Sequence, residues 1–161
     1  MKYEIIVLGS TGSVGRSTLK VIAKKKNFKI KVLTTNKNIN LVYKQALLFK
    51  VKHVIIENSY KYRKYKKKFE KKKIKLYLGI DSISRILNKK VSFCLNSISG
   101  IEGLEPTLKI IPFTKNFLTA NKESIICGWN LIERKLKKYK TEFIPVDSEH
   151  FSAWYAIKNN K

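Results

Sequence analysis

The amino-acid sequence predicts an α/β fold, a doubly wound and mainly parallel sheet with helices on both faces. Three observations carry that expectation. Short apolar runs alternate with amphipathic stretches from end to end, a glycine-rich turn follows the first apolar run, and neither an internal repeat nor a low-complexity linker breaks the series. The apolar runs place strands at residues 4–8, 29–33, 53–56, 75–78, 91–95, 117–119 and 142–146. Helices are expected between them at 13–23, 39–49, 60–72, 82–87, 104–111, 124–139 and 151–158.

The first helix takes its core stripe from Val14, Leu19, Val21 and Ile22. The third lies in the most basic stretch of the chain, Lys61 to Lys75, and its Tyr62, Tyr65 and Phe69 recur at helical spacing. Those aromatics point to an outer helix anchored on the core, with an anion-binding role as the lesser alternative. Pro106 falls in the first turn of its helix, where a missing N–H costs little, and Pro112 marks that helix's end.

A chain of 161 residues with 43% hydrophobic content can bury one sizeable core, with room for the start of a second unit. The expectation is one unit over residues 1–140 and the beginning of a second over 141–161. The formal net charge of +24 raises nucleic acid or an anionic surface as a partner. Against this, lysines run from Lys2 to Lys161 among many asparagines, the pattern of a solvated coat and not of one footprint. Apolar runs such as Ile5 to Leu8 fall far short of the roughly 20 residues of a membrane-spanning helix. Cys94 and Cys127 lie far apart without CxxC spacing, so two buried, reduced thiols in a cytoplasm are expected.

The segment Gly9-Ser10-Thr11-Gly12-Ser13-Val14-Gly15 leaves the first strand and opens the first helix, the setting of a dinucleotide site in a Rossmann-like fold. Glycines at 9 and 12 allow a tight turn and bring backbone N–H groups close to a pyrophosphate, while the helix start adds partial positive charge. Gly15 permits close packing of helix on strand. The end of the second strand discriminates between nucleotides, because an acid there would hold the ribose 2′-OH of NAD. Thr34-Thr35-Asn36-Lys37-Asn38 contains none, which favours NADPH.

Two polar clusters follow later strands. Asp147 and Glu149, two residues apart on a segment taken as extended, would face the same way and suit Mg²⁺ or Mn²⁺. Equally open is a helix start, with Asp147 as N-cap and Glu149 in the first turn. His150 is left out of the metal set. Asn121-Lys122-Glu123 also ends a strand, at the sheet edge where ligands bind in open α/β folds, and again a plain helix start is the alternative.

Taken together, Leu8 to Gly15, Leu118 to Ser124 and Ile144 to His150 resemble the 1-deoxy-D-xylulose 5-phosphate reductoisomerases in order and spacing, and Gly100 to Leu108 is similar to that family's intervening segment. The resemblance spans essentially the whole chain. It implies that Thr11, Gly12, Ser13 and Val14 line the pyrophosphate and adenosine side of NADPH, with Lys37 and Asn38 near the 2′-phosphate. Asn121 and Glu123 would meet the nicotinamide half. Lys122 would bind substrate and act in catalysis with Glu149, Ser148 and Glu149 would touch substrate oxygens, and Asp147 and Glu149 would hold the divalent metal. The family shows glycine where this chain has Asn36, and continues differently after His150, where this chain reads Phe151-Ser152-Ala153-Trp154-Tyr155.

The implied activity is the isomerisation and NADPH-dependent reduction of 1-deoxy-D-xylulose 5-phosphate to 2-C-methyl-D-erythritol 4-phosphate, for isoprenoid synthesis. Family members are homodimers and much longer, so the expectation is a truncated, inactive front part that stops at the start of the catalytic domain. Two other readings compete: a basic α/β module for nucleic acid, and an NADP-binding protein without reductoisomerase chemistry. A short-chain reductase is disfavoured, because the Tyr-x-x-x-Lys pairs at Tyr60/Lys64 and Tyr62/Lys66 fall in the basic cluster.

Overall fold

The computed structural model describes residues 2–159, apart from the side chains of residues 148–150, 153, 158 and 159. Seven strands form one sheet: β1 (Tyr3–Leu8), β2 (Phe28–Thr35), β3 (His53–Ile56), β4 (Lys75–Leu78), β5 (Val91–Asn96), β6 (Thr114–Thr119) and β7 (Glu142–Pro145). Their order is β4-β3-β2-β1-β5-β6-β7, and all six pairings are parallel. Parallel neighbours need crossovers, which six helices supply: α1 (Ser13–Ala23), α2 (Ile39–Leu48), α3 (Ser59–Glu70), α4 (Ile83–Ile86), α5 (Leu104–Ile110) and α6 (Lys122–Tyr139); α7 (Ser148–Asn159) follows the last strand.

Alternation along the strands splits the core in two. Ile5, Val7, Leu33, Val54, Ile56 and Leu76 pack with Leu19 and Ile22 of α1, Val42 and Ala46 of α2 and Phe69 of α3. On the other face Ile6, Leu8, Val32, Ile55 and Phe117 pack with Ile83 of α4, Ile110 of α5 and Ile132 and Leu136 of α6. The expected doubly wound architecture is therefore present, with the order reversing between β1 and β5.

Several local expectations need correction. Val14 and Val21 do not join the core stripe of α1; both are exposed, and the buried face is Gly15, Leu19 and Ile22. The expected helix at 82–87 is a 3₁₀ turn at Ile80–Ser82 and the single turn of α4. Cys94 is buried, but Cys127 is exposed, because it lies on the outer face of α6. β6 begins at Thr114, three residues before the expected start, since polar Lys115 and Asn116 follow the strand's pairing and not its hydropathy. α7 opens at Ser148, so the segment carrying Glu149 is helical and not extended.

The basic helix α3 is an outer helix, as its aromatic spacing predicts. Phe69 is fully buried and meets Tyr43 edge-on at a centroid distance of 4.9 Å, with Tyr62 and Tyr65 partly buried beside it. Lysines lie over the rings: Lys68 is 4.7 Å from the Tyr43 centroid and Lys66 5.7 Å from that of Tyr62. Phe69→Ala is expected to cost about 3–5 kcal/mol by leaving a cavity under α3. Urea denaturation followed by circular dichroism measures it, and a loss below about 1 kcal/mol would show that the basic helix is not anchored there.

Candidate functional site

The reversal of strand order puts a crevice at the C-terminal ends of β1 and β5, and the turn from β1 into α1 lines it. Gly9 has φ of +72°, and a Cβ there would stand 3.0 Å from the Ser97 carbonyl oxygen. At Gly15 a Cβ would lie 2.5 Å from the Gly9 oxygen and 2.7 Å from the Ser10 Cα, so only glycine lets α1 approach its own entry turn. The turn is held from three sides. The Gly9 N–H donates to Thr34 Oγ1 at 2.9 Å, the Ser97 hydroxyl to the Leu8 oxygen at 2.6 Å, and Gln45 Nε2 to the Ser10 oxygen at 2.9 Å. Ser10 Oγ returns a bond to Gln45 Oε1 at 2.8 Å, and the Thr11 and Thr35 hydroxyls meet at 2.8 Å.

The starts of the longer helices α2, α3 and α6 are capped by asparagine. Asn38 accepts from Leu41 N, Asn58 from Lys61 N and Asn121 from Ser124 N. The N-cap of α1 is Gly12, which has no side chain to offer, so no side chain of its own caps the first-turn amides of this helix. The cavity in front measures about 240 Å³ and is lined by Gly9, Thr11 and Gly12, by Thr34 to Lys37 after β2, and by Ser97 to Ser99 after β5. Glu57, Ile80, Glu102 and Pro106 close its far side. Burial pushes the Glu57 carboxyl above the usual value near 4.5, with Glu105 adding repulsion, the Ile80 N–H partly offsetting the shift and Asp81 repelling more weakly.

A second cavity of about 270 Å³ lies further along the same sheet edge, lined by Thr119, Asn121, Lys122 and Asp147 against Ile125, Trp129, Phe143 and Pro145. Asn121 is 2% exposed and its amide is committed to the protein: Nδ2 donates to the Ile98 and Gly100 oxygens at 2.6 and 2.8 Å, while Oδ1 caps α6. It thereby ties the start of α6 to the 98–100 segment bordering the first cavity. Asp147 stands where α7 opens, its carbonyl accepting from Phe151 N at 2.9 Å. The side chains of Ser148, Glu149 and His150 lie outside the described residues. Among the described residues, no group of three or more His, Cys, Asp or Glu could hold a metal ion.

The sequence model of 1-deoxy-D-xylulose 5-phosphate reductoisomerase matches residues 5–128, more than half of the chain. This chain belongs to the 1-deoxy-D-xylulose 5-phosphate reductoisomerase family. The enzyme of that name from Pelagibacter ubique (strain HTCC1062) is 51% identical over 161 residues, a match covering 98% of this chain and 42% of the relative. The chain thus spans about two-fifths of the length of the curated relatives it matches. Among solved structures, the reductoisomerase from Zymomonas mobilis in complex with NADPH superimposes with a TM-score of 0.83 at 29% identity, covering 92% of this chain and 40% of that one. A reductoisomerase in complex with NADPH, fosmidomycin and magnesium also gives 0.83, at 27% identity and with 92% and 37% coverage.

Within this reductoisomerase-family chain, the residues singled out from sequence divide between the two cavities. Thr11, Gly12 and Lys37 line the first; Asn121, Lys122 and Asp147 line the second. Ser13 and Val14 have side chains on a different, shallow groove beside Leu95, Leu118 and Val146. Only their position at the start of α1 relates them to the first cavity. Asn38 uses its side chain to cap α2, and Glu123 is exposed in the first turn of α6. The alternation argument for a metal pair loses its premise, because Glu149 falls in the first turn of α7. Asn36 is not among the residues with positive φ, so its backbone does not demand the glycine of other members. Thr34, Gln45, Glu57 and Ser97 were missed; the strand order, once known, points to the first, third and last as strand-end residues at the crevice.

Two outcomes are expected. Asn121→Asp keeps the cap but sets a carboxylate oxygen against two carbonyls, and is expected to lower stability by about 2–3 kcal/mol in chemical denaturation. A variant as stable as wild type would mean the two carbonyls do not need the amide. Glu57 has its folded-state pKa raised, so its contribution to stability is fullest below about pH 4.5 and is lost as pH rises through the folded value. Glu57→Gln is therefore expected to raise Tm by about 1–2 °C at pH 7, a small effect because the group keeps solvent contact, and to give no gain at pH 4. A gain that grows on acidification contradicts this assignment.

Proposed function

We propose that the chain binds NADPH in the first cavity and supplies the cofactor half of a 1-deoxy-D-xylulose 5-phosphate reductoisomerase. The observation that carries this reading is the start of α1: a glycine N-cap on a helix aimed from a turn that two strand ends and α2 hold in place. A diphosphate there would receive backbone N–H groups and the positive end of the helix dipole without displacing a protein side chain. Thr11 lies beside that position and Lys37 extends from the next loop toward a ribose 2′-phosphate, with Asn38 fixing the loop through its cap on α2. No acid occupies the end of β2, in keeping with NADPH over NADH.

The same reading gives the second cavity to the nicotinamide end and the substrate. Asn121 holds the segment between the two cavities, Glu123 stands at the nicotinamide side, and Lys122 presents a cation for a sugar phosphate. Asp147, with Glu149 and Ser148 from the start of α7, would hold a divalent metal and substrate oxygens; a carboxylate at this edge is the hard donor Mg²⁺ or Mn²⁺ takes. NADPH would supply hydride, and the metal would polarise the ketone and adjoining hydroxyl. In this assignment residues 1–140 form the cofactor domain and 141–161 begin the metal- and substrate-binding part. Reduction of 1-deoxy-D-xylulose 5-phosphate to 2-C-methyl-D-erythritol 4-phosphate, in a cytoplasmic homodimer, belongs to the proposal. Among the described residues no helix is long and apolar enough to cross a membrane.

Thermal unfolding of the purified chain tests the cofactor assignment. NADPH at about 100 times its Kd is expected to add about 2.7 kcal/mol of stability, seen as a rise of several degrees in Tm, with a smaller rise for NADH at the same concentration. Equal shifts, or none with either nucleotide at millimolar concentration, would remove the assignment.

A further inference from the structure

The basic cluster on α3 is not only a solvated coat. One of its lysines reaches a neighbouring loop across the protein surface: Lys61 Nζ donates to the carbonyl oxygen of Lys37, in the loop between β2 and α2 that borders the first cavity. Lys61 is placed for this by its own helix start, where its N–H is capped by Asn58 Oδ1 at 2.8 Å. A carbonyl does not neutralise an ammonium. Among the described residues no carboxylate pairs with Lys61, whereas Lys31, Lys109 and Lys137 each have one. The acids of the cavity, Glu57 and Glu102, line it alongside Ile80 and Pro106, so it carries acids as well as the Lys37 loop.

We propose that Lys61 is a specificity-determining residue for a nucleoside 2′-phosphate, acting with Lys37 so that two cations from two separate elements flank the same anion. The proposal rests on the NADPH reading above and adds a residue to it. Two lysines in succession along one loop would leave the dianion with a single direction of approach. Lys61 comes instead from α3, beyond β3, and holds the Lys37 backbone while keeping two of its three N–H donors for a phosphate. The sheet order makes this contact possible, because β3 lies next to β2 and brings the start of α3 beside the start of α2.

The test uses the purified 161-residue chain and two probes that differ only in one phosphate, adenosine 2′,5′-bisphosphate and ADP's monophosphate counterpart 5′-AMP, titrated by calorimetry at 0.1 M salt. Lys61→Met is expected to weaken the bisphosphate about tenfold and 5′-AMP less than twofold, and Lys61→Arg to recover most of the loss. Lys64→Met serves as a control, since Lys64 lies over the Tyr60 and Tyr65 rings on the same helix, and is expected to change neither affinity more than about twofold. An equal loss for both probes in Lys61→Met, or an equal loss of the bisphosphate in Lys64→Met, overturns the proposal and leaves the cofactor site standing. Wild-type protein that fails to prefer the bisphosphate over 5′-AMP overturns both. All variants are compared after their melting temperatures are shown to match, which a surface lysine permits.

Discussion

The constraint on which the site depends is that the backbone from Leu8 to Ser10 must be immobile before any ligand arrives. Backbone amides cannot rearrange as side chains do, so their aim is set entirely by what grips them. Here Thr34 takes the Gly9 N–H, Ser97 takes the Leu8 carbonyl and Gln45 brackets Ser10, so β2, the residue after β5 and α2 each fix one residue of the bend. Those bonds consume the turn's own polar groups and leave the first turn of α1 as the donor set. Preorganisation of this kind cuts the ordering cost of binding.

The same strand ends explain why two cavities share one sheet edge. In a parallel sheet every strand finishes on the same side, so each β-to-α turn contributes there and the crossovers on the opposite side contribute nothing. β1, β2 and β5 surround the first cavity; β6 and β7 surround the second. Asn121 links them mechanically, since its amide joins the start of α6 to the backbone at Ile98 and Gly100.

The excess of lysine has a plainer physical basis than its size suggests. On α3 only Phe69 is fully buried, and the lysines that flank the aromatic stripe lie over Tyr43, Tyr60, Tyr62 and Tyr65. Their stems cover apolar rings while their ammonium groups stay in water. The helix thus stays soluble on one side and attached on the other, and net charge by itself says little about what the chain binds.

Elements whose hydropathy follows one period were legible from sequence alone: the strand at 53–56, the helix at 13–23 and the glycine turn between the first strand and that helix were all placed correctly from local pattern. Local pattern failed where neighbours decide. Val14 and Val21 look like core positions, yet α1 rests on Leu19 and Ile22, and no periodicity could reveal which part of a broad apolar face the sheet would cover. The start of α7 was placed three residues late because Pro145 and Val146 continue an apolar run, whereas β7 stops where its pairing with β6 stops. Thr34, Gln45 and Ser97 were invisible as site residues, since they are ordinary polar side chains far apart in the chain. Sequence by itself determined the chemistry of the turn, because glycine and helix start are neighbours. Only the tertiary structure decided what holds that turn and which charges surround it, because strand order, and not sequence distance, brings β2, β5 and the start of α3 to one place.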